Sequence, residues 1–383
     1  MTLLFLSDIA WDSLVQRPQH IASRMARTMR VLWVEPVTLG RRIRFTPVEI
    51  APGLYRMMLP ALPLNARKRW IRRIAALASR LPLLRRAVVQ AQRLILRAGA
   101  RTVGAAADDI VCLAQNFQLL AAAETLKPRR VVFDYIDDVF GFAAWPAYVR
   151  SEWRAALRRA DVVTATSPTL RMRILEEHSR DVIIIRNGVE FSRFTSSSAP
   201  QRPADMPGAG TPVAGYVGSV YPWLDFGLLD RTIGAMADFT FAVIGPLHPS
   251  VAPEMARLTR HRNFRYLGLK PYPDVPAYMR CLDAAIIPFK RTLLTEGVNP
   301  VKLYEYSAAG VPTVATDFSD DTNEFADIVL IARTDTEFAA HLRTAVRRRT
   351  DRDFVRALSA FASANDWDSR AREFSSLLQP EGS

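Results

Sequence analysis

The sequence predicts an α/β protein made of two Rossmann-like, doubly wound domains. Three observations support this fold class. The chain has 383 residues, which is long for one hydrophobic core and suits two. Apolar runs of strand length alternate with helical segments in each half of the chain, as in parallel sheets covered by helices on both faces. A stretch rich in Ser, Pro and Gly separates the two series.

The first series predicts an N-terminal domain over residues 1–194. A helix is expected in QHIASRMARTM (19–29), directly after the first strand. The six strand candidates are TLLFLS (2–7), VLWVEP (31–36), IVCLAQ (110–115), VVFDYI (131–136), DVVTATS (161–167) and VIIIRNGV (182–189). Ligands bind at the carboxyl ends of strands in open parallel sheets, so we expect functional residues just after these strands.

The segment 195–212, TSSSAPQRPADMPGAGTP, is predicted to be a linker that forms no packed element. The alternation restarts after it and predicts a C-terminal Rossmann-like domain over 213–363. Its strand candidates are PVAGYVGS, FTFAVIGP, NFRYLG, DAAIIPF and VPTVAT. Residues 364–383 are expected to form a helix that packs back on the N-terminal domain. The two domains are expected to face each other across a ligand-binding cleft.

The charge of the chain is unevenly distributed. The net charge is +13, and residues 1–107 hold 19 Lys/Arg and 4 Asp/Glu, whereas the remainder holds 32 and 34. The excess therefore lies in the first third, which predicts one basic face. Two distant cysteines, Cys112 and Cys281, suit a reducing compartment better than a disulfide framework. The N-terminus has no basic leader and no apolar run reaches ~18 residues, so we expect neither a signal peptide nor a membrane-spanning helix.

Residues 66–101 contain eleven Lys/Arg and no acid. Apolar residues recur there at helical spacing, and Pro82 is expected to break that helix or to start a second one. The stripe consists of Trp70, Ile74, Leu77, Leu81, Leu84 and Val88. A basic amphipathic helix of this kind suits an anionic membrane surface, which predicts a cytoplasmic protein that docks peripherally on the inner face of the membrane. The alternative is an ordinary helix whose stripe lies in the core.

The segment NPVKLYEYSAAGVPTVATD (299–317) places one lysine and one glutamate at the start of a predicted helix. Proline suits the first helical turn, so the helix is expected to begin near Pro300. Lys302 and Glu305 then share one face of that turn. A helix N-terminus attracts anions, a lysine adds charge for a diphosphate, and a carboxylate can accept ribose hydroxyls. The alternative is an exposed ion pair on a surface helix.

Several segments resemble GT-B glycosyltransferases of the group that includes family 4, specifically bacterial enzymes that build exopolysaccharide, teichuronic-acid-like and capsular glycans. TEGVNPVKLYEYSAAGVPTVATD (295–317) resembles their nucleotide-sugar site. WDSLVQRPQHIASRMA (11–26), ADVVTATSPTL (160–170), IRNGVEFSRF (185–194) and GYVGSVYPWLDFGLL (215–229) resemble other parts in the same order. The resemblance covers nearly the whole chain outside residues 40–105.

By this resemblance, Lys302 neutralises the diphosphate of a UDP- or GDP-sugar, and Glu305 holds the ribose. Gly218 and Ser219 form the turn whose N–H groups face the phosphates. Asn299, Pro300, Val301, Tyr304 and Glu296 complete the predicted donor-binding set. The sequence departs from the family's two-glutamate motif, in which the acids are eight apart, because Glu296 precedes Glu305 by nine.

The segment VVFDYIDDVFGF (131–142) places Asp134, Asp137 and Asp138 at the carboxyl end of a strand. Related membrane-associated GT-B enzymes have a catalytic acid at the place of Asp137, which makes it the first candidate base and Asp138 the second. Asp137 as a base favours inversion, whereas the family 4 resemblance favours retention. The alternative is that these acids cap the following helix.

Four further residues are candidate contacts. Arg17 and His20 in QRPQH (16–20) follow the first strand; Arg17 is predicted to contact a phosphate or the acceptor, and His20 the donor sugar or acceptor phosphate. Trp223 and Asp225 in YPWLDF are predicted to contact the acceptor or a phosphate. Tryptophan stacks well on sugar faces, and the alternative for Trp223 is a role in the core. The acid spacing does not match the metal-binding DxD motif of the other large glycosyltransferase fold, so we expect activity without a metal or another cofactor.

Together these features predict a glycosyltransferase that moves a hexose-type sugar from a nucleotide donor to a polyprenyl-diphosphate-linked or glycan acceptor in polysaccharide biosynthesis. Three alternatives stay open. A nucleotide-sugar 2-epimerase would keep the fold, and an inactive GT-B scaffold would fit the altered two-glutamate motif. A nucleic-acid-binding protein would use the basic helix, but it would leave Lys302 and Glu305 unexplained, so we expect no nucleic-acid partner.

Overall fold

The computed structural model describes residues 1–38, 40, 42–61, 69–142, 145–195, 202–208 and 210–379. The chain divides into two compact units. Unit 1 comprises Met1–Ile185 and Arg370–Ser383, and unit 2 comprises Arg186–Ser369. Each unit is a parallel sheet with helices packed against it, so the predicted α/β class is confirmed.

Unit 1 contains an eight-stranded sheet with the order β3-β4-β2-β1-β5-β6-β7-β8. All its strand pairs are parallel except β3–β4, which is antiparallel at one edge. The strands are β1 Thr2–Leu6, β2 Arg30–Pro36, β3 Val48–Ala51, β4 Leu54–Leu59, β5 Ile110–Ala114, β6 Val131–Tyr135, β7 Val162–Ala165 and β8 Val182–Ile184. All residues of β1 and β5 are buried, which explains their continuous apolar sequences.

Helices cover the sheet of unit 1. They are α1 Arg17–Met25, α2 Arg69–Ala78, α3 Pro82–Thr102, α4 Phe117–Ala123, α5 Val139–Phe142, α6 Ala147–Arg159 and α7 Pro168–Leu175. Local sequence signals set several helix starts. The side chain of Asn116 caps α4 and that of Ser167 caps α7, while Pro82 lies in the first turn of α3 and begins a second helix, as one of the two predicted outcomes.

Unit 2 contains a six-stranded sheet with the order β11-β10-β9-β12-β13-β14, and every strand pair within the described residues is parallel. Its strands are β9 Val213–Val217, β10 Thr240–Ile244, β11 Phe264–Gly268, β12 Ala284–Ile287, β13 Thr313–Thr316 and β14 Val329–Ala332. Its helices are α8 Phe191–Thr195, α9 Phe226–Ala235, α10 Ala252–Leu258, α11 Val275–Arg280, α12 Leu293–Glu296, α13 Val301–Ala308, α14 Asp320–Asn323, α15 Asp335–Arg348 and α16 Arg352–Ala364. The last helix, α17 Trp367–Leu378, begins in unit 2, and its residues from Arg370 belong to unit 1.

The structure places the change of unit nine residues before the predicted boundary at 194. Residues 186–195 belong to unit 2, where the Val189 N–H donates to the Asn365 carbonyl and Phe194 is buried in the core. The predicted strand VIIIRNGV accordingly ends at Ile184, and the rest of that run turns into unit 2. An apolar run cannot by itself show which of two sheets its last residues join.

Part of the predicted linker is packed. Residues 196–201 and 209 lie outside the described residues, but 202–208 contact unit 2. Met206 is buried in its core, and the Asp205 carboxylate accepts hydrogen bonds from Lys270 Nζ at 2.5 Å and from the Tyr278 hydroxyl at 2.7 Å. Composition predicted no packed element here, and one methionine and one acid are enough to hold the segment.

The amphipathic stripe of α2 faces away from the core. Trp70, Ile74 and Leu77 are 60–67% exposed, whereas the small residues Ala75 and Ser79 are buried. The alternative in which this stripe lies in the core is therefore wrong for these residues; residues 66–68 of the basic region lie outside the described part. No helix within the described residues is long and apolar enough to cross a membrane.

Candidate active site

Two glycines mark the carboxyl edge of the sheet of unit 2. Gly218 follows β9 with a φ of +148°, and Gly245 follows β10 with a φ of +140°. L side chains rarely adopt this conformation. A Cβ on Gly245 would lie 2.0 Å from the Gly218 carbonyl oxygen. The two turns therefore meet backbone to backbone, and sequence reasoning missed Gly245 although a Gly-Pro pair after a strand signals a turn.

Lys302 lies beside these glycines. A Cβ on Gly218 would lie 2.1 Å from Lys302 Cε and 2.7 Å from Lys302 Nζ, so glycine leaves the space that the lysine side chain fills. The ammonium lies 5.4 Å from the ring centroid of Tyr216 and 6.0 Å from that of Phe289. Aromatic faces attract a cation at this range. The sheet edge thus holds the Lys302 ammonium against a turn whose first residue, Gly218, has no side chain.

Lys302 and Glu305 are half-buried. Neither side chain makes a hydrogen bond or a close ion pair with any described residue. Burial lowers the pKa of Lys302, and the Glu305 carboxylate opposes this shift. Burial also raises the pKa of Glu305 to about 7, opposed by the Lys302 ammonium. Both groups are thus desolvated without a partner, and a ligand with an anionic part and hydroxyl donors would relieve that cost.

A buried hydrogen-bond network fixes the start of α13, whose N-cap is Pro300 as predicted. The Oδ1 atom of Asn299 accepts hydrogen bonds from the Asn187 N–H at 2.8 Å and the Tyr304 hydroxyl at 3.0 Å. The Nδ2 atom of Asn299 donates to Asp321 at 2.8 Å. This network sets the direction in which the first turn of α13 presents Lys302.

Two residues of the predicted donor-binding set therefore have supporting roles. Asn299 and Tyr304 are buried, and the Tyr304 ring stacks on Phe361 at a centroid distance of 5.4 Å. A ligand contact from either residue would require an exposed side chain. Pro300 is also buried, and Val301 is half-buried. Local spacing placed these residues correctly near Lys302 but could not show which faces point inward.

Glu296 ends α12 and interacts with Arg291. The Arg291 Nε lies 3.3 Å from a Glu296 carboxylate oxygen, and Arg291 also reaches Asp320 at 2.8 Å and Asp317 at 3.6 Å. The contact of Glu296 with a donor sugar stays a prediction.

The turn after β9 provides fewer open N–H groups than predicted. The Gly218 N–H donates to the Ile244 carbonyl at 2.8 Å, so it extends the strand pairing and is not open to a phosphate. The Ser219 N–H donates to no described residue, and the Ser219 carbonyl accepts from the Tyr216 hydroxyl at 2.9 Å. Of the two predicted phosphate donors, only Ser219 retains an open N–H.

Trp223 belongs to a stack of rings near this turn. Its ring lies 4.5 Å from that of Tyr221 with an interplanar angle of 7°, and the His248 ring lies 4.6 Å from Tyr221. Sequence reasoning missed Tyr221 and His248, because they come from loops after different strands. Asp225 caps α9 by accepting from the Leu228 N–H at 2.9 Å, which gives it a structural role.

In unit 1, Arg17 forms a buried salt bridge with Asp134. The Nε and Nη2 atoms of Arg17 each lie 2.9 Å from a carboxylate oxygen of Asp134, and Arg17 Nη2 also donates to the Ile185 carbonyl at 3.0 Å. Gln115 and Thr164 complete the set of donors to Asp134, at 2.9 and 2.8 Å. Arg17 was predicted to contact a phosphate or the acceptor, but its guanidinium is buried against a carboxylate 117 positions away in the sequence.

Asp138 is held by the protein. It accepts from the Phe140 N–H at 3.0 Å at the start of α5, and it forms a salt bridge with Arg173 at 2.8 Å. The Tyr135 hydroxyl also donates to it at 3.3 Å. The capping alternative therefore describes Asp138, and its catalytic role is not supported by this geometry.

Asp137 differs from its neighbour. Its half-buried side chain makes no hydrogen bond or ion pair with the described residues. Burial raises the pKa of Asp137 to about 6, Arg17 opposes this shift, and Asp138 adds to it. A carboxylate with this pKa is ionised at neutral pH and still basic enough to accept a proton.

His20 lies in α1 and is buried. Its Nδ1 atom is 3.4 Å from Arg24 Nη1. Its predicted contact with a sugar or phosphate stays a prediction. Within the described part of the chain, no group of three or more His, Cys, Asp or Glu side chains could hold a metal ion.

Part of the C-terminal half of the chain matches a known protein family. Residues 211–348 match the family model described as glycosyl transferases group 1. TuaH of Bacillus subtilis (strain 168), provisionally named a teichuronic acid biosynthesis glycosyltransferase, is 31% identical over 172 residues. That alignment covers 44% of this chain and 43% of TuaH, so the match spans less than half of the relative.

Two solved structures are similar over nearly their full length. Sucrose-phosphate synthase from Thermosynechococcus elongatus has a TM-score of 0.71 and 14% identity, with 98% of each chain covered. Anabaena HepE in complex with UDP and glucose has a TM-score of 0.66 and 16% identity, again with 98% of each chain covered. At such identities the likeness shows the fold alone, and it confirms the predicted GT-B fold with two Rossmann-like domains.

Proposed function

We propose that this chain, a GT-B protein whose residues 211–348 match the family model of the glycosyl transferases group 1, transfers a sugar from a nucleoside diphosphate sugar to an acceptor hydroxyl. The observation that carries this proposal is the position of Lys302. Its ammonium lies half-buried against the glycine turns of β9 and β10 and makes no hydrogen bond or close ion pair with a described residue. A buried cation at the ligand-binding edge of a parallel sheet is suited to a diphosphate.

In this proposal the donor lies along the first turn of α13. Lys302 neutralises the diphosphate, and the open Ser219 N–H donates to a phosphate oxygen. Glu305, three residues further on the same helix, accepts hydrogen bonds from the ribose hydroxyls. The Anabaena protein HepE, which shares the fold, binds UDP and glucose, and this supports a UDP-sugar as the first donor to test.

The transfer exchanges one bond for another at the anomeric carbon. Asp137 accepts the proton of the acceptor hydroxyl, and the resulting oxygen forms a bond to the anomeric carbon. The bond from that carbon to the diphosphate oxygen breaks, and the diphosphate leaves with the electron pair. Lys302 stabilises the charge that develops on the leaving group. Attack by an external hydroxyl with Asp137 as base gives inversion at the anomeric carbon.

The acceptor in this proposal is linked to a lipid in an anionic membrane surface. The exposed stripe of α2 supports this choice, since Trp70, Ile74 and Leu77 point away from the core while Ala75 packs inward. Arginines share the exposed face, among them Arg73 and Arg80. Apolar side chains enter the membrane interface and arginines meet the lipid phosphates, so α2 brings unit 1 to a surface that carries lipid-linked sugars.

Nucleotide binding tests the donor site. UDP, GDP and UDP-glucose are added to the protein, and the thermal unfolding temperature is followed. A ligand at 100 times its Kd stabilises by about 2.7 kcal/mol, which raises this temperature measurably. Lys302→Met keeps the side-chain stem and removes the charge, so we expect a roughly 10- to 100-fold weaker Kd for the nucleotide.

Lys127→Met is the matched control, because it removes the same charge from an exposed position in unit 1. It should bind nucleotide as the wild type does. Equal affinity in Lys302→Met and wild type would overturn the proposed site. Failure of all three compounds to bind would overturn the choice of donor.

A further inference from the structure

The acids near the carboxyl edge of the sheet of unit 1 fall into two groups. Asp134, Asp138 and Glu35 are held by donors from the protein. Asp8 and Asp137 make no hydrogen bond or ion pair with any described residue. The contacts of Asp134, Asp138 and Glu35 give these acids a role in the fold. No contact with a described residue gives Asp8 or Asp137 such a role.

Strand register places Asp8 and Asp137 at the same edge. In β1, β5 and β6 the residues Leu6, Ala114 and Phe133 are aligned. Asp8 follows the end of β1 by two residues, and Asp137 follows the end of β6 by two. Only β5 separates these strands, and neighbouring strands lie about 4.8 Å apart, so the two chain segments emerge roughly 10 Å apart on one edge.

The strand between them ends in a polar residue with an unused acceptor. Gln115 directly follows β5, and its N–H donates to the Leu6 carbonyl at 2.8 Å, which ties the end of β5 to that of β1. The Nε2 atom of Gln115 donates to Asp134 at 2.9 Å, but its Oε1 atom is buried and has no donor among the described residues. A buried carbonyl oxygen needs a donor. A sugar hydroxyl would supply one.

The electrostatics of the pair are asymmetric. Desolvation by the surrounding protein and, second, the Asp137 carboxylate raise the pKa of Asp8 to about 7, although the Asp8 side chain is exposed. The other charged or titratable groups that act on Asp137 are Arg17, which opposes its protonation, and Asp138 and Tyr135. Ionisation of Asp137 thus makes the loss of the second proton harder, as in other coupled carboxyl pairs.

We propose that Asp8 is the second carboxyl group of the acceptor site and works as a pair with Asp137. This inference rests on the proposed function. In the active state Asp137 is ionised and Asp8 keeps its proton. Asp137 removes the proton of the attacking hydroxyl, while the Asp8 carboxyl donates a hydrogen bond to a neighbouring oxygen of the same acceptor sugar. Gln115 Oε1 accepts from a further hydroxyl. The acceptor is therefore a sugar with adjacent hydroxyl groups.

Direct titration tests the pairing without any substrate. The protein is labelled with 13C at the aspartate side-chain carboxyl carbons, and the signals of Asp8 and Asp137 are assigned from their loss in Asp8→Asn and Asp137→Asn. We expect the titration midpoint of Asp8 to fall by at least about half a pH unit in Asp137→Asn, since one neighbouring negative charge is removed. Asp108→Asn, an exposed acid at the opposite end of β5, should leave that midpoint unchanged. An unchanged midpoint in Asp137→Asn would overturn the pairing.

Activity then tests the role of the pair. The probe is UDP-glucose with glucose added as the acceptor sugar, and the readout is the UDP released above the rate with water alone, as a function of pH. The wild type should give a bell-shaped profile, and Asp8→Asn should lose the alkaline limb while its Kd for UDP stays that of the wild type. A profile in Asp8→Asn with both limbs intact would overturn the catalytic role. If the wild type releases no UDP, the donor in the proposed function is wrong, and the titration still decides whether the two acids are paired.

Discussion

In unit 1, Asp134 receives four hydrogen bonds from Arg17, Gln115 and Thr164, whereas in unit 2 Lys302 makes no hydrogen bond or close ion pair with a described residue. Both groups lie at the carboxyl edge of a parallel sheet, and both are shielded from solvent to some degree. The two charges differ in whether they stabilise the fold or are available to a ligand. A buried charge with every partner in place holds a fold together, and a partly buried charge without partners costs stability that only a ligand can return.

The largest effect is expected where the partnered charge is broken. Arg17→Met leaves the buried Asp134 carboxylate without its cation, so we expect a loss of about 3–5 kcal/mol in the free energy of unfolding. Urea denaturation measures this loss. Arg150→Met is the matched control, because Arg150 pairs with Glu177 on the surface and should cost less than about 1 kcal/mol. Equal losses in the two variants would remove the distinction between the two kinds of charge.

Apolar side chains, like charges, can either stabilise the fold or remain available to a partner. The next largest effect is expected for membrane binding by the exposed apolar side chains of α2. The double substitution Trp70→Ser and Leu77→Ser should weaken binding to vesicles of phosphatidylglycerol and phosphatidylcholine by at least about 2 kcal/mol, or ~30-fold. The unfolding temperature should stay unchanged, because both side chains are exposed. Vesicle flotation at low salt measures the binding.

Met172→Ser is the control for this experiment, since Met172 is equally exposed but lies on α7, outside the basic region. It should bind vesicles as the wild type does. Full binding by the double variant would show that the stripe does not face the membrane.

The fold, and the positions of Lys302 and Glu305 on one face of α13, could be predicted because they depend on local patterns. The alternation of strands and helices predicted both sheets, although β3, β4 and β14 were missed. β3 and β14 have only four residues each, and all four residues of β3 are exposed. Lys302 and Glu305 could be placed because residues three apart on a helix share a face. The partner of Arg17 could not be found in this way, because Asp134 lies 117 positions away and only the folded sheet brings them together.

Burial is the second property that could not be predicted from the sequence. Asn299 and Tyr304 lie in the same motif as Lys302, and sequence alone gave all three the same role. The structure separates them, since Tyr304 packs on Phe361 and Asn299 bonds to Asp321. The stripe of α2 is the opposite case, because its apolar side chains are exposed. Helical periodicity predicts an apolar face but does not show whether that face packs inward.

The pH dependence of stability tests whether Glu305 is a desolvated group without a partner. Its pKa is raised from 4.5 to about 7 in the folded protein, so the folded state holds this proton more tightly than the unfolded state does. The stability associated with this proton is complete below pH 4.5 and is lost as the pH rises through about 7. Relative to wild type, Glu305→Gln should therefore become progressively more stable across this window, by up to about 1.4 kcal/mol per pH unit.

Urea denaturation at several pH values measures this difference. Glu176→Gln, an exposed acid on unit 1, gives the baseline for the rest of the chain. A stability difference between Glu305→Gln and wild type that is flat from pH 5 to 8 would show that Glu305 is not desolvated, and the donor site would lose its predicted ribose contact.

The smallest effect on the free energy of unfolding is expected for substitution of Lys302. The sign of this effect distinguishes a charge that binds a ligand from a charge that stabilises the fold. Without ligand, Lys302→Met removes a charge that burial disfavours and keeps the stem that packs near Tyr216, so the free energy of unfolding should rise by up to about 1 kcal/mol. With UDP at 100 times the wild-type Kd, the wild type gains about 2.7 kcal/mol and the variant gains far less, so the order of stabilities reverses. Thermal unfolding with and without UDP measures both values. Arg17→Met cannot show such a reversal, because its partner is part of the protein. If Lys302→Met were instead destabilised without ligand and bound UDP normally, Lys302 would belong with Arg17 among the charges that build the fold.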